Sequence, residues 1–300
     1  MDRTSPPGAL PRYRTGMVEV LELRDTSRPD WRGPGPRPVR TYLWRAEAGG
    51  PGPLVLMSHS IGGTAEELDW LAGALVSAGF TVACAEHHGD NGLDGCLPEG
   101  LAFVWERPRD LSFVLDRLAA DGTVDPHRVG AAGFSLGGYA AVALLGARLD
   151  ARVLEGIAQG VVAGRPQRSS PLPDIPNLAE DLRTRHAGSS VDEIVAAGAR
   201  SHADPRVRAA FLIAPAIGAM TDPASLAGID RPVALRWGDA DDEVPPEQNA
   251  LRYWRSIPGV DGRSLGADVG HFVFLGDEPD PKGVRAEVAA EAVAFFHERL

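Results

Sequence analysis

The pentapeptide Gly133-Phe134-Ser135-Leu136-Gly137 limits what this chain can fold into more than any other stretch. It fits G-x-S-x-G. An apolar run suited to a buried strand (129–132, VGAA) precedes it, and a small-residue segment that reads as a packed helix (138–145) follows. A serine at so sharp a strand-to-helix turn needs small neighbours on both sides, because the flanking segments pass close and its own backbone is strained. The turn lifts the hydroxyl clear of the sheet and aims N–H groups at a helix start toward a reacting carbonyl. The pentapeptide alone proves little. With 35 glycines among 300 residues, chance supplies roughly 0.2 such matches per chain, so the motif carries weight only through its flanks.

Those flanks continue a rhythm along the chain. Residues 1–16 read as a loose arm, and residues 17–23 (MVEVLEL) alternate like a half-buried strand. The Pro- and Gly-rich 28–38 reads as a loop, 39–44 as a second alternating strand, and the apolar 54–57 as a central strand covered on both faces. A helix around Leu68, Leu71 and Leu75, a strand at 80–85, a polar glycine-bearing loop at 86–99 and a helix at 109–119 come next. Residues 150–205 break the rhythm with Gly160, Gly164, a Pro-rich stretch at 171–176 and helical patterns at 177–185 and 191–199. They read as an inserted helical cap. Strands resume at 207–213, 233–237 and 263–265, with helices near 247–255 and at 284–299. Alternation of this kind predicts one α/β domain over 1–300: a mostly parallel sheet, antiparallel N-terminal strands, and helices on both faces.

Composition excludes several classes. A net charge of −11 argues against nucleic-acid or anionic-membrane partners. No apolar run reaches membrane-spanning length and no signal-peptide pattern opens the chain, which places the expectation in the cytoplasm. Cys84 and Cys96 make neither a disulfide framework nor a metal knuckle, and Cys84 reads as a small core residue.

A serine hydroxyl needs a base, and the base needs an acid to orient it. Among the histidines after Ser135, His186 and His202 fall in the cap and His297 on the last helix. His271 sits in a loop after the final strand, where a base belongs. The acid should follow the strand at 233–237, in the run Asp239, Asp241, Asp242, Glu243. Asp239 still belongs to the strand's alternation, and Glu243 is long and lies beside Val244-Pro245. That leaves Asp241 and Asp242. The glycine-rich loop 58–63 (SHSIGG) would supply a second oxyanion donor, so the N–H groups of Ile61 and Leu136 are expected to form the hole. His59, and His87 with His88 and Asp90, lack further ligands at metal spacing and read as structural. No metal and no cofactor is called for, and a small-molecule ester is the expected partner.

These residues resemble the dienelactone-hydrolase-like serine hydrolases of the α/β-hydrolase superfamily, which include the platelet-activating-factor acetylhydrolases. The likeness runs over 41–274 and is densest at 58–63, 106–118 (ERPRDLSFVLDRL), 129–141 and 270–275 (GHFVFL). It implies Ser135 as nucleophile, Asp241, four residues before Pro245, as acid, His271 as base, and Ile61 and Leu136 as oxyanion donors. Glu106-Arg107-Pro108 and Asp110 look family-typical as structural pairings. The chain departs in three places. It has His59-Ser60 where the family has His-Gly, and Trp44-Arg45-Ala46 where the family has Trp-Tyr-Pro. It also has serine where the true dienelactone hydrolases use cysteine. The expected activity is carboxylic-ester hydrolysis through an acyl-enzyme. Acyl transfer, thioester cleavage and a non-catalytic ligand-binding role are the rivals.

Overall fold

A computed structural model describes residues 18–46, 51–158 and 190–300, with the backbone at 12–15 and single residues between 182 and 188. Expectations placed on residues 1–11, on Gly160 and Gly164, on 171–176 and on most of 177–185 lie outside the described residues.

The chain enters through three antiparallel strands, β1 (Arg12–Thr15), β2 (Val18–Pro29) and β3 (Pro36–Trp44). Two sequence expectations are corrected here. Part of the expected N-terminal arm is a strand, since Arg12–Thr15 pairs with β2. The loop expected at 28–38 shrinks to a tight connection between Pro29 and Pro36, which face each other across the ladder. Proline is tolerated there because these are the ends of the pairing, where a donor is least needed.

The parallel sheet follows with β4 (Gly52–Ser58), α1 (Asp69–Ser77) and β5 (Thr81–Ala85). A small hairpin, β6 (Asp90–Asn91) with β7 (Gly95–Cys96), leads into α2 (Pro98–Ala102) and α3 (Glu106–Ala120). Next come β8 (Val124–Phe134), α4 (Leu136–Ala143), α5 (Ala151–Ala158) and α6 (Val191–Gly198). The chain closes with β9 (Val207–Ile213), α7 (Pro223–Ala227), β10 (Val233–Trp237), α8 (Ala250–Ser256), β11 (Asp261–Ser264) and α9 (Val284–Arg299). The nine-stranded order is β1-β2-β3-β5-β4-β8-β9-β10-β11, parallel from β5 onward. The chain runs outward from β4 to β5, then returns past β4 to β8. The adjacent carboxyl ends of β4 and β8 therefore open a crevice, the place where such sheets bind ligands.

Strand alternation divides the core in two. Leu54 and Leu56 of β4 face a layer with Leu111, Leu115 and Leu118 of α3, while Val55 and Met57 face Leu71 and Leu75 of α1 and Phe296 of α9. A third apolar cluster sits above the crevice, where Leu136 and Tyr139 of α4 meet Trp105, and Leu154 of α5 and Ile194 of α6 pack against it.

The stretch at 86–99 is a further correction. It reads as a polar loop, yet Glu86, His87, His88, Asp90 and Asn91 are all buried. They are held by ionic and hydrogen-bonded partners, which buried polar groups require. Asp110 is the hub. Arg37 grips it through two bonds of 2.8 and 3.0 Å, and Arg28 lies 2.7 Å away and also reaches Glu106 at 2.9 Å. Burial pushes the Asp110 carboxyl up, but Arg37 and Arg28 outweigh it and hold the group well below the usual carboxylate range. This cluster ties the antiparallel lead-in to α3.

Candidate active site

Ser135 lies between β8 and α4 with φ 55° and ψ −119°. The left-handed backbone is strained for serine. Two bonds hold it in place: its N–H donates to the Ile213 carbonyl (2.9 Å) and its carbonyl accepts from Ala216 N–H (2.9 Å). Among the described residues, the two other non-glycine residues with positive φ, Ala214 and Ile217, lie in the same neighbouring segment. The glycines are sterically required. A Cβ on Gly133 would overlap the Gly137 carbonyl, and one on Gly137 would overlap the Ser58 carbonyl at the end of β4.

The structure brings Ser135 together with His271 and Asp241. His271 Nε2 is 3.1 Å from Ser135 Oγ, and its Nδ1 is 2.7 Å from Asp241 Oδ2. A carboxylate only accepts, so Nδ1 carries the proton and the Nε2 lone pair faces the serine hydroxyl. Asp241 Oδ1 accepts the Val244 N–H at 2.7 Å, which fixes the carboxylate plane. The imidazole also packs on Phe134, with ring centroids 4.7 Å apart. All three polar residues are at most 7% exposed. Of the other acids in the run, Asp242 is exposed, and Asp239 is exposed and takes a bond from Trp237 Nε1 at 3.0 Å. His186 bonds Glu99, and His297 lies exposed on α9 beside Phe80.

Leu136 is the first residue of α4, so its N–H has no acceptor within the helix. Ile61 belongs to the loop after β4, and its side chain packs against the apolar cluster that includes Leu136. Beneath that loop lies a relay that sequence reasoning missed. Ser58 Oγ is 2.8 Å from His87 Nε2, and His87 Nδ1 is 3.1 Å from Asp110 Oδ2. These atoms repeat a serine–histidine–aspartate chain, but the three residues are at most 1% exposed and closed to any substrate. Burial, with Arg107 beside it, lowers His87 to about 4, so the ring is neutral. The signal in the sequence was the run Glu86-His87-His88-Gly89-Asp90, dense in polar residues directly after a buried strand.

His59 is likewise structural: its Nδ1–H donates to the Ser60 carbonyl (2.7 Å) and its Nε2 accepts the His87 N–H (3.2 Å). Asp90 pairs with Arg107 at 2.6 Å. Cys84 and Cys96 are both free thiols, Cys84 buried. Among the described residues no group of three or more His, Cys, Asp or Glu is arranged to hold a metal.

The prolyl oligopeptidase family model matches residues 66–151, less than half the chain. No curated protein matches. Solved structures align over nearly the whole chain. A ferulic acid esterase from Streptomyces cinnamoneus is 22% identical with TM-score 0.61, covering 99% of this chain and 92% of its own. A cold-adapted esterase from an Arctic intertidal metagenomic library is 16% identical with TM-score 0.55, covering 97% of each. A putative dipeptidyl aminopeptidase IV from Bacteroides ovatus is 12% identical with TM-score 0.59, covering 94% of this chain but 36% of that one. The fold is that of the α/β-hydrolases. At these identities the likeness speaks to architecture, and what the site does rests on its own residues.

Proposed function

We propose that the protein is a serine hydrolase cleaving carboxylic esters through an acyl-enzyme. The observation that carries this reading is the single imidazole of His271 bridging Ser135 Oγ at 3.1 Å and Asp241 at 2.7 Å. Ser135 Oγ attacks the ester carbonyl while His271 Nε2 takes its proton, and Asp241 holds the tautomer and offsets the imidazolium charge. The N–H groups of Ile61 and Leu136 receive the oxyanion of the tetrahedral intermediate. His271 then returns the proton to the leaving alcohol. In the second half-reaction it deprotonates a water that attacks the acyl carbonyl, which releases the acid and regenerates Ser135.

The apolar cluster around Leu136 supports an apolar acyl or aromatic acyl group, since Ile61, Phe103, Trp105, Ile217 and Met220 gather there. Leu154 and Ile194, packed against the same cluster, support the reading of α5 and α6 as parts of a cap over the pocket within one domain. The motif blocks at 58–63, 129–141 and 270–275 support a place among the dienelactone-hydrolase-like enzymes. The match to the prolyl oligopeptidase model favours peptide-bond cleavage as the second reading. Initial rates on p-nitrophenyl esters from acetate to decanoate, set against aminoacyl p-nitroanilides, separate the two. The proposal expects ester turnover that improves with acyl length. Anilide turnover exceeding that of every ester would transfer the site to the peptidase reading.

A further inference from the structure

The loop that carries Ile61 has its backbone engaged almost group by group. Arg107 donates to the carbonyls of His59 (2.6 Å) and Ser60 (3.0 Å). Asp90 accepts the Gly62 N–H at 2.7 Å, and the Gly63 N–H turns back to the Ser60 carbonyl at 3.3 Å. On the other flank Glu67, at the start of the segment leading into α1, accepts from Ser60 twice. One oxygen takes the backbone N–H, and the other takes the hydroxyl at 2.8 Å. Among the described residues this leaves the Ile61 N–H without an internal acceptor.

The Glu67 contact has a second mark in the backbone. A Cβ on Gly63 would overlap both the Glu67 carboxylate and the Ser60 hydroxyl, so that glycine is the space the pair occupies. Ser60 is also where the chain departs from the His-Gly pattern of its resemblance. A glycine there would keep the N–H and lose the hydroxyl, halving the attachment. Burial raises the Glu67 carboxyl above its ordinary value, while the two bonds from Ser60 act in the opposite direction.

We propose that Glu67 is a positioning residue for the reaction, which with Ser60 forms a clasp that fixes the Ile61 N–H toward the oxyanion. The inference rests on the hydrolase reading above. An N–H donor acts only when aimed at the position the oxyanion will take, so loosening the clasp weakens transition-state binding and leaves ground-state binding nearly untouched. Arg107 and Asp90 would still hold the loop's other side, so the loop should stay folded without Glu67.

The test compares wild type with Glu67→Ala, Ser60→Ala and the double variant, using a p-nitrophenyl ester and a trifluoromethyl ketone that forms a tetrahedral oxyanion adduct. Glu67→Ala should lower kcat about 10- to 100-fold with KM within about twofold, a partial loss of one oxyanion donor. The ketone's Ki should rise in step with the fall in kcat/KM. The double variant should be no worse than Glu67→Ala, since both remove one clasp. Hydrogen exchange of the peptide spanning 58–66 should quicken in Glu67→Ala, while the remaining core stays protected. A folded Glu67→Ala with kcat within about threefold of wild type, or with unchanged exchange at 58–66, would overturn the clasp. If the wild type turns over no ester, the hydrolase reading fails by itself, and the exchange measurement still decides whether the clasp exists.

Discussion

Two neighbouring aspartates show how much one residue's placement decides. Asp241 and Asp242 have the same chemistry, yet only Asp241 is buried against His271 Nδ1, while Asp242 faces solvent. Asp241→Asn should cost on the order of 10⁴ in kcat, because the amide stabilises the wrong imidazole tautomer. Asp242→Asn should cost less than about tenfold, as expected of a screened surface charge. Paired steady-state kinetics check both, and the reverse ranking would move the acid. Glu86 offers a separate test, of stability. Burial holds its carboxyl up to about 7, although one oxygen accepts the Ala65 N–H at 2.7 Å. A carboxyl raised in the folded state favours the protonated form, so its contribution is fully present below about 4.5 and is lost as pH rises through about 7. Glu86→Gln removes that titration. It should gain stability over wild type between pH 5 and pH 8.5 by an amount on the order of 2–3 kcal/mol, read by chemical denaturation at both pH values. An unchanged difference between the two pH values would show that Glu86 does not titrate in this window.

At the scale of elements, the parts set by local pattern were legible in the sequence. The strands at 207–213 and 233–237 and the helix at 284–299 coincide with β9, β10 and α9, because apolar runs and 3.6-residue spacing report burial directly. The short α2 and α7 were not legible: each has five residues, too few for a periodic signal. The 86–99 stretch misled because its burial depends on Arg28, Arg37 and Arg107, which arrive from distant parts of the chain. The same holds for Glu67, whose partner Ser60 is seven positions away across a turn. That Ser135, His271 and an acid of the run after β10 would meet was legible by order and flanks, and the choice of Asp241 over Asp242 came from resemblance rather than geometry. Two element-level outcomes are expected. Gly137→Ala forces a methyl into the Ser58 carbonyl and should lower stability by about 1–3 kcal/mol, seen as a fall in Tm. Leu154→Ala on α5 or Ile194→Ala on α6 should raise KM for long acyl esters while acetate turnover stays within about twofold. An unchanged acyl-length profile in both would count against a cap over the pocket.

Over the whole molecule, the sheet order places the carboxyl ends of β4 and β8 side by side, and everything proposed for the chemistry converges there. β8 supplies Ser135 and the α4 N–H, β4 supplies the loop with Ile61, and the later strands β10 and β11 deliver Asp241 and His271 across the same edge. Among the described residues no helix is long and apolar enough to cross a membrane. The central claim is that Ser135 is the nucleophile of an activated triad. Intact-mass analysis after treatment with a fluorophosphonate tests it most directly, because the reagent bonds only to a serine whose proton a neighbouring base removes. Wild type should gain one adduct, located at Ser135 by peptide mapping, and a folded Ser135→Ala variant should gain none. An adduct that persists in Ser135→Ala, or a folded wild type that stays unlabelled, would contradict the account.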